Sequence, residues 1–192
     1  MAPDVKTVHE FLVDLAEHAR APALQEVAEL QEIAKQDGVD ELKPWDTTYY
    51  SEKLKQQQFN LSQEALKHYF PAPKVIQGLF QIVQRLYGIN IIERQAPVWH
   101  PDARYFELED QGQVIGGFFF DIYARTGKRG GAWMSGFRSR VQTANGLQKP
   151  ICYMVCNFTP PIGDQPALLT HDEVITLFHE FGHGLHHMLT EV

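Results

Sequence analysis

THDEVITLFHEFGHGLHHML, at residues 170–189, carries the clearest structural signal in this chain. Its first four residues, Thr170 to Glu173, match a capping box, in which a threonine side chain and a glutamate three positions later bind free backbone amides at a helix start. Apolar residues then recur three and four positions apart, as on a buried helix face: Val174, Leu177, Phe178, Phe181, Leu185 and Leu189. We therefore predict a helix that begins at Thr170 and buries one face.

The same helix carries two histidines that are one turn apart. His179, Glu180 and His183 form the pattern H-E-x-x-H, which places both imidazoles on one helix face, with Cβ atoms about 5–6 Å apart, so that both can reach one zinc ion. Glu180 can instead reach a water molecule on the ion and take its proton. We predict zinc ligands at His179 and His183 and a catalytic general base at Glu180. The alternative, a solvated polar row, requires a chance match found in about one of several thousand windows.

A zinc site that holds a water also needs a third protein ligand. In the metzincin class this ligand lies six residues after the second histidine and a glycine lies three residues after it, but these positions hold Leu189 and His186. Glu191 is a poor candidate because it lies on the same helix or just past its end. We expect the third ligand outside residues 1–192, so that the chain is part of a longer enzyme and inactive alone. Surface or supporting roles are predicted for the other histidines of this region, His171, His186 and His187.

Composition limits the class of protein. With 192 residues, 44% hydrophobic and 21% charged, the chain can form an ordinary globular core and lies outside the disordered, collagen-like and coiled-coil classes. It has no apolar run near the roughly 18–20 residues of a membrane span and no signal-peptide layout in MAPDVKTVHE, so we expect a cytoplasmic protein with no membrane partner. Its net charge of -7 repels phosphate backbones, and only Gly127 to Arg129 offers a basic patch, so we expect no nucleic-acid partner.

The order of the sequence patterns predicts an α+β fold. Residues 1–88 show helical apolar spacing, with Asp46 as a predicted helix cap and Gly88 as a predicted helix end. Pro22 should end one helix or open another, and an antiparallel helical pair and a kinked long helix fit equally well. Residues 89–169 should form a small antiparallel or mixed β-sheet, and residues 170–192 the zinc-motif helix packed at its edge.

Five short segments rich in aromatic and β-branched residues predict a sheet of four or five strands: INIIER, ARYFELED, VIGGFFFDIYA, AWMSGFRSR and ICYMVCNF. Asp110, Gln111 and Gly112 predict a tight hairpin between the second and third. Cys152 and Cys156 lie four positions apart in one predicted strand, which separates them by roughly 13 Å and excludes a disulfide. We expect both to be reduced thiols in the core.

Four longer stretches resemble the thimet oligopeptidase family of zinc peptidases, family M3: PWDTTYYSEK at 44–53, YARTGKRGGAWM at 123–134, QKPICYMVCNF at 148–158 and THDEVITLFHEFGHGLHHML at 170–189. The resemblance implies a cytosolic enzyme that hydrolyses short peptides at internal bonds, in a deep channel between two mainly helical halves. It also implies that His179 and His183 bind zinc and that Glu180 is the general base. The third ligand of the family is a glutamate on the next helix, and its substrate-contacting tyrosines and histidine come later still.

The same resemblance points to a substrate-flanking strand at Gly130, Gly131, Ala132 and Trp133, where exposed backbone amides could pair with an extended peptide. An ordinary loop that enters a strand fits these residues equally well. A salt-bridged structural network is favoured over a phosphate or carboxylate grip for the nearby charges, Asp121, Arg125, Lys128 and Arg129. Core or channel-wall positions are expected for the tryptophans, Trp45, Trp99 and Trp133.

The sequence is therefore compatible with two functions. The first is a zinc endopeptidase that cleaves short peptides and needs the C-terminal part of a longer parent enzyme as its partner. The second is a non-catalytic peptide-binding module that uses the sheet edge and keeps a vestigial metal motif. The intact Glu180 favours the first. An exposed apolar face on the last helix also predicts self-association of the chain.

Overall fold

The computed structural model describes residues 2–59 and 62–191, which form two compact units, Met1–Ser62 and Gln63–Val192. The first unit contains α1, Val5–Gln36, and α2, Thr47–Phe59. Pro22 lies inside α1, so its predicted role as a helix boundary is wrong, and of the two alternatives the long helix is present and the antiparallel pair is not. A proline removes one backbone hydrogen bond, and the turns before and after it keep theirs, so the helix continues through it.

The first unit has a small core where α2 meets the end of α1. Its buried residues are Leu30, Ile33, Ala34 and Tyr50. Asp46 precedes α2 as predicted, but its carboxylate accepts the backbone N–H of Lys43 at 3.0 Å. The predicted cap through this carboxylate is therefore wrong, because the side chain closes the preceding turn instead. Trp45 is 78% exposed, which excludes the core alternative of its prediction and leaves the channel-wall alternative as a prediction.

The second unit contains the remaining helices and all strands of the described residues. Its helices are α3, Gln63–Leu66, α4, Ala72–Tyr87, and α5, His171–Leu189, with a short 3-10 turn at Lys67–Tyr69. Gly88 ends α4 as predicted. It adopts the left-handed conformation with φ of 73° and donates its backbone N–H to Gln84, a common way for a helix to end.

A mixed sheet lies between α4 and α5 in the sequence. Its strands are β1, Asn90–Arg94, β2, Arg104–Asp110, β3, Gln113–Tyr123, β4, Trp133–Arg138, and β7, Ile151–Phe158. They pair in the order β1-β2-β3-β7-β4, and the β3–β7 pair is parallel while the others are antiparallel. The predicted α+β class is confirmed. A separate two-stranded sheet, β5, Val141–Thr143, with β6, Gly146–Gln148, was not predicted.

The predicted hairpin between β2 and β3 is confirmed. Asp110 pairs with Gln113 across a two-residue turn. The turn residues Gln111 and Gly112 have φ angles of 48° and 78°. A two-residue turn with positive φ at both central positions has a twist that matches the paired strands. Glycine adopts positive φ easily, which explains why it occupies the second of these positions.

One face of the sheet packs against α4 and α5. Alternate residues on β2, β3 and β7 fill this face, because successive strand side chains point to opposite sides. The buried ones are Phe106, Leu108, Phe118, Phe120, Cys152, Met154, Cys156 and Phe158. Phe80 of α4 and Phe181 of α5 meet at Phe118, with ring centroids 6.2 and 5.4 Å from it. Burial of each such ring contributes about 1.5–3 kcal/mol.

The opposite face of the sheet carries a second aromatic group that is less buried. Phe119 and Tyr153 stack with ring centroids 5.4 Å apart, and Trp99 lies 5.4 Å from the first and 5.5 Å from the second. Trp99 is 50% exposed, which excludes the core alternative for this residue too and leaves the channel-wall alternative as a prediction. Its ring covers the strands from outside, and its indole N–H is used in the ion network described below.

The two cysteines behave as predicted. Cys152 and Cys156 are free and fully buried, and both lie on the helix-facing side of β7. No helix of the described residues has the length and apolar character needed to cross a membrane. The division of the chain into parts 1–88, 89–169 and 170–192 stays a prediction.

Candidate metal centre

The helix α5 begins with the predicted capping box. The hydroxyl of Thr170 accepts the backbone N–H of Glu173 at 3.1 Å, and the Glu173 carboxylate accepts the N–H of Thr170 at 2.7 Å. The side-chain oxygen of Gln63 accepts the next amide, that of His171, at 3.0 Å. These bonds satisfy N–H groups that lack partners within a helix, so the start of the metal-motif helix is well defined.

The predicted apolar face of α5 is its buried face. Leu177 and Phe181 are each 1% exposed. The other predicted positions pack partly buried against the same core: Val174, Phe178, Leu185 and Leu189. The pattern missed Met188, which is fully buried seven residues after Phe181, a spacing of about two turns that could have identified it. Because this face lies in the core, the side with His179 and His183 is exposed.

The two motif histidines turn their rings towards each other. The Nε2 atoms of His179 and His183 lie 3.1 Å apart, and their rings meet at 87° with centroids 4.7 Å apart. Two nitrogens on a tetrahedral zinc ion, each at 2.0–2.1 Å, would lie about 3.3–3.4 Å apart. The ring nitrogens therefore already converge to nearly the spacing that two ligands of one ion require.

Glu180 lies at the border between the core and the exposed side of α5. It is 9% exposed, and in the described part of the chain its carboxylate has no hydrogen bond or ion pair. Every fully buried side-chain oxygen in that part of the chain has a hydrogen-bond partner. The Glu180 oxygens have none, so they are in contact with solvent. Burial and, to a lesser extent, the charge of Glu180 raise the pKa of the Cys156 thiol to about 12. A carboxylate that is mostly buried, touches solvent and has no protein partner is suited to exchange a proton with a water molecule.

The side chains fit two positions of a zinc site. Among residues 2–59 and 62–191, no three His, Cys, Asp or Glu side chains are grouped so that they could hold a metal ion. Glu191, the weak candidate for a third ligand, lies 3.9 Å from Arg140 and is largely exposed. The two imidazoles thus supply the nitrogen ligands that zinc favours, and a complete site needs a ligand from outside the described residues.

A cavity of ≈ 360 Å³ opens beside His183. It lies between the end of α5 and the end of β4, and its lining includes Met134, Arg140, His186 and His187. His187 joins the two elements, because its Nε2 lies 3.1 Å from the carbonyl oxygen of Arg138. His171 lies away from this cavity, with its ring 6.1 Å from that of Phe70.

The predicted substrate-flanking residues lead into the edge strand of the sheet. Trp133 is the first residue of β4, which pairs with β7 on one side and is the last strand in the sheet order. Gly131 has φ of 90°, a conformation that favours glycine, and a side chain at Gly130 would meet nothing within 4 Å. The guanidinium of Arg129 lies 5.4 Å from the centre of the Trp133 ring. The backbone from Gly130 to Ala132 thus lies at a sheet edge with open space beside it.

The predicted ion network is present, with one member fewer. Asp121 is 2% exposed and accepts two hydrogen bonds from Arg125, at 2.7 and 2.8 Å, and one from Lys128 at 2.9 Å. Trp99 donates its indole N–H to the same carboxylate at 2.9 Å. Burial raises the pKa of Asp121, but these hydrogen bonds outweigh it and hold the pKa at about 2. Arg129 stacks on Trp133 instead, so its predicted place in the network is wrong.

Sequence reasoning missed Asn157, which links β7 to the backbone around the predicted substrate-flanking residues. Its side-chain amide donates to the carbonyl oxygens of Arg129 at 2.8 Å and Gly131 at 2.7 Å. The signal in the sequence is a single amide near the end of the otherwise apolar strand ICYMVCNF. That signal identifies an unusual residue but not its partners, which lie more than 25 positions earlier.

Known proteins match the chain along its whole length. The model of peptidase family M3 matches residues 1–192. Oligopeptidase A of Escherichia coli is 54% identical over 196 residues, covering 100% of this chain and 29% of that protein. Probable cytosolic oligopeptidase A of Arabidopsis thaliana is 41% identical over 198 residues, covering 97% of this chain and 28% of that protein. Dipeptidyl carboxypeptidase of Escherichia coli is 40% identical over 190 residues, covering 97% of this chain and 28% of that protein.

This chain therefore spans less than a third of the length of the curated relatives it matches. The resemblance seen at residues 44–53, 123–134, 148–158 and 170–189 is confirmed, because the family match includes all four stretches. The convergent histidines lie on a helix within the matched region. On this evidence the chain belongs to peptidase family M3.

Proposed function

We propose that this chain supplies the metal-binding helix and a substrate-flanking strand of a zinc-dependent endopeptidase that hydrolyses short peptides. The observation that carries the proposal is the 3.1 Å approach of the Nε2 atoms of His179 and His183 on the exposed side of α5. Membership of family M3 supports a peptidase. The name oligopeptidase A of two relatives supports action on short peptides, and the name of one of them supports a cytoplasmic location.

In the proposed mechanism, His179 and His183 would hold zinc through Nε2, and a glutamate outside residues 1–192 would be the third ligand. Bound zinc would acidify a water molecule and polarise the carbonyl of the peptide bond. A carboxylate oxygen of Glu180 takes the proton from the attacking water. As the carbon–nitrogen bond breaks, Glu180 gives that proton to the departing amine.

The peptide would lie extended along the open edge that begins at Gly130, Gly131, Ala132 and Trp133. Backbone pairing at a sheet edge binds a peptide whatever its side chains, which suits an enzyme for varied short peptides. With two histidine ligands, residues 1–192 alone should bind zinc weakly and should not turn over substrate. The exposed part of α5, which includes Ile175 at 54% exposure, should favour self-association of that isolated piece.

Replacement of Glu180 tests the proposal. In the full natural chain loaded with zinc, Glu180→Gln should leave the zinc content unchanged and lower kcat for a short peptide by about 10²–10⁴-fold. Glu191→Gln, the same change at an exposed position past the end of α5, should leave kcat unchanged. His183→Ala should lose zinc, whereas His186→Ala should retain it.

The same experiment separates the enzyme from a non-catalytic peptide-binding module. A binding module would bind peptide equally well with zinc present or removed, and Glu180→Gln would change nothing. Zinc-loaded wild-type protein that hydrolyses no peptide, or a Glu180→Gln variant with wild-type kcat, would exclude the proposed function.

A further inference from the structure

Asn157 holds a stretch of backbone that is distant in sequence. Its Nδ2 donates one hydrogen bond to the carbonyl oxygen of Arg129 and another to that of Gly131, at 2.8 and 2.7 Å. The two carbonyls flank Gly130, so a single side chain fixes both ends of this residue. Because both amide hydrogens are used on carbonyl oxygens, an acceptor cannot replace the donor here.

The position of Asn157 explains why a side chain is needed. In the antiparallel β4–β7 pair, Trp133 faces Val155 and Met134 faces Met154, so each step back along β4 is one step forward along β7. Continued by two residues, this register would place Gly131 opposite Asn157. Gly131 has φ of 90°, far from strand geometry, so the backbone ladder stops before it. The amide of Asn157 replaces the missing ladder bonds and extends the attachment of β4 to β7.

The attached stretch leads into β4, which lies beside the metal-motif helix. A side chain at Gly136 would approach the His187 ring to 3.0 Å, and Met134 lines the same cavity as His183. Two strand residues advance about 6.6 Å and four helix residues about 6 Å, so strand and helix advance together. One further step of the same size would bring Ala132 level with His179. The backbone that Asn157 holds therefore leads directly into the strand that runs along the metal-motif helix.

The Asp121 network holds the other end of this loop. Lys128 donates to the backbone carbonyls of Asp121 and Tyr123 at 2.9 and 2.7 Å, which fixes the start of the loop that follows β3. Asn157 fixes its end, immediately before β4. A loop held at both ends keeps a constant shape, which reduces the entropy lost when a peptide pairs with its edge.

We infer that Asn157 is a positioning residue for peptide binding: it holds the backbone of Gly130 to Ala132 in the shape that pairs with an extended substrate, without touching the substrate itself. This inference rests on the proposed function. It predicts that loss of the amide weakens peptide binding while the chemical step at Glu180 is nearly unchanged. The effect should grow with the number of peptide residues that lie along the edge.

The test compares Asn157→Asp and Asn157→Ala with wild type in the full natural chain loaded with zinc. Aspartate has the same shape but faces the two carbonyls with acceptors, and alanine removes the side chain. We expect KM for a peptide of about ten residues to rise about tenfold, with kcat changed less than threefold and zinc content unchanged. A minimal substrate that is too short to reach Gly130 should show a smaller rise in KM. Hydrogen exchange at residues 129–133 should become faster.

Asn145→Asp is the matched control, because Asn145 is an exposed residue in the turn between β5 and β6. It should behave as wild type. The inference is overturned if Asn157→Asp keeps the wild-type KM for long peptides, or if KM, kcat and zinc content fail together, which indicates a general loss of structure. If wild type hydrolyses nothing but binds peptide more tightly than Asn157→Asp does, the positioning role stands and the proposed catalysis fails. If wild type neither binds nor cleaves peptide, both are wrong.

Discussion

Gly184 packs so closely against Met154 that a Cβ atom at Gly184 would lie 2.8 Å from the Met154 sulfur. This contact joins α5 to β7 one residue after the proposed ligand His183. The sulfur of Cys152 lies 3.5 Å from the same point, so the contact has little free space around it. The metal-motif helix is thus set against the sheet at a distance that a glycine determines.

Gly184→Ala should therefore destabilise the protein relative to Gly182→Ala. Both changes add the same methyl group to the same helix, and both gain up to about 1 kcal/mol of helix propensity. At Gly184 the methyl overpacks a core in which Met154 is 1% exposed, a cost of about 1–3 kcal/mol. The free energy of unfolding, measured by denaturant titration, should differ between the two variants by about 1–3 kcal/mol.

Gly182 is the control because a Cβ there would meet nothing within 4 Å. Gly182→Ala should be as stable as wild type or slightly more stable. Equal stability of the two variants would show that Met154 moves aside at no cost, and the close contact would then have no role in fixing α5.

Asp121 should make the stability of the fold depend on pH in the acid range. Its pKa is about 2 in the folded chain against an ordinary value of 3.8. Because the folded-state pKa is the lower one, the carboxylate contributes its full stabilisation, about 2 kcal/mol, above pH 3.8, and this is lost as the pH falls towards 2. Asp121→Asn should flatten this part of the curve. At pH 7 it should cost about 3–5 kcal/mol, since the charge of the buried Lys128 side chain loses its carboxylate partner and keeps only its hydrogen bonds to the backbone carbonyls of Asp121 and Tyr123.

Glu93→Gln provides the comparison at an exposed site. Glu93 also binds an arginine through two hydrogen bonds, to Arg104 at 2.7 and 2.6 Å, but both side chains are more than 40% exposed. An exposed ion pair contributes about 0–1 kcal/mol, so this variant should lose little stability at pH 7. A loss at Asp121→Asn no larger than at Glu93→Gln would contradict the structural role of the network.

Cys152 and Cys156 should be unreactive in the folded protein. Burial raises the pKa of both thiols to about 12, so very little thiolate forms at pH 8, and neither sulfur is accessible. A thiol reagent at pH 8 should label neither residue in the native protein and both after unfolding in guanidinium. Rapid labelling of native protein would show that β7 opens to solvent, in conflict with its place inside the sheet.

The parts of the fold that sequence predicted well depend on neighbouring residues. Thr170 and Glu173 form a capping box at a spacing of three, and Gln111 and Gly112 form a turn between adjacent strands. In both cases the residues that interact are close in sequence, so their chemistry can be read without knowledge of the fold. The one-turn spacing of His179 and His183 is equally local, and their Nε2 atoms converge to 3.1 Å, while zinc binding by this pair stays a prediction.

The parts that sequence did not predict depend on distant partners or weak local signals. Asn157 reaches backbone that is 26 and 28 residues earlier, and no local pattern indicates these partners. The strands β5 and β6 have three residues each, too few for a visible alternation of polar and apolar residues. Pro22 indicated a helix break, but the cost of one lost hydrogen bond did not end α1.

Thr170→Ala should loosen the first turn of α5 and leave its metal-binding turn intact. Loss of the hydroxyl that accepts the N–H of Glu173 should cost about 1 kcal/mol. Thr176→Ala is the matched control, because the Thr176 hydroxyl donates to Asp172 within the helix, and alanine is the better helix former. Hydrogen exchange should speed up at residues 171–174 in the first variant and remain unchanged in the second. Zinc affinity, measured in the full natural chain, should change less than twofold in both, since His179 lies more than two turns after the cap. A tenfold loss of zinc affinity in Thr170→Ala would mean that the helix start and the histidine pair form one cooperative unit.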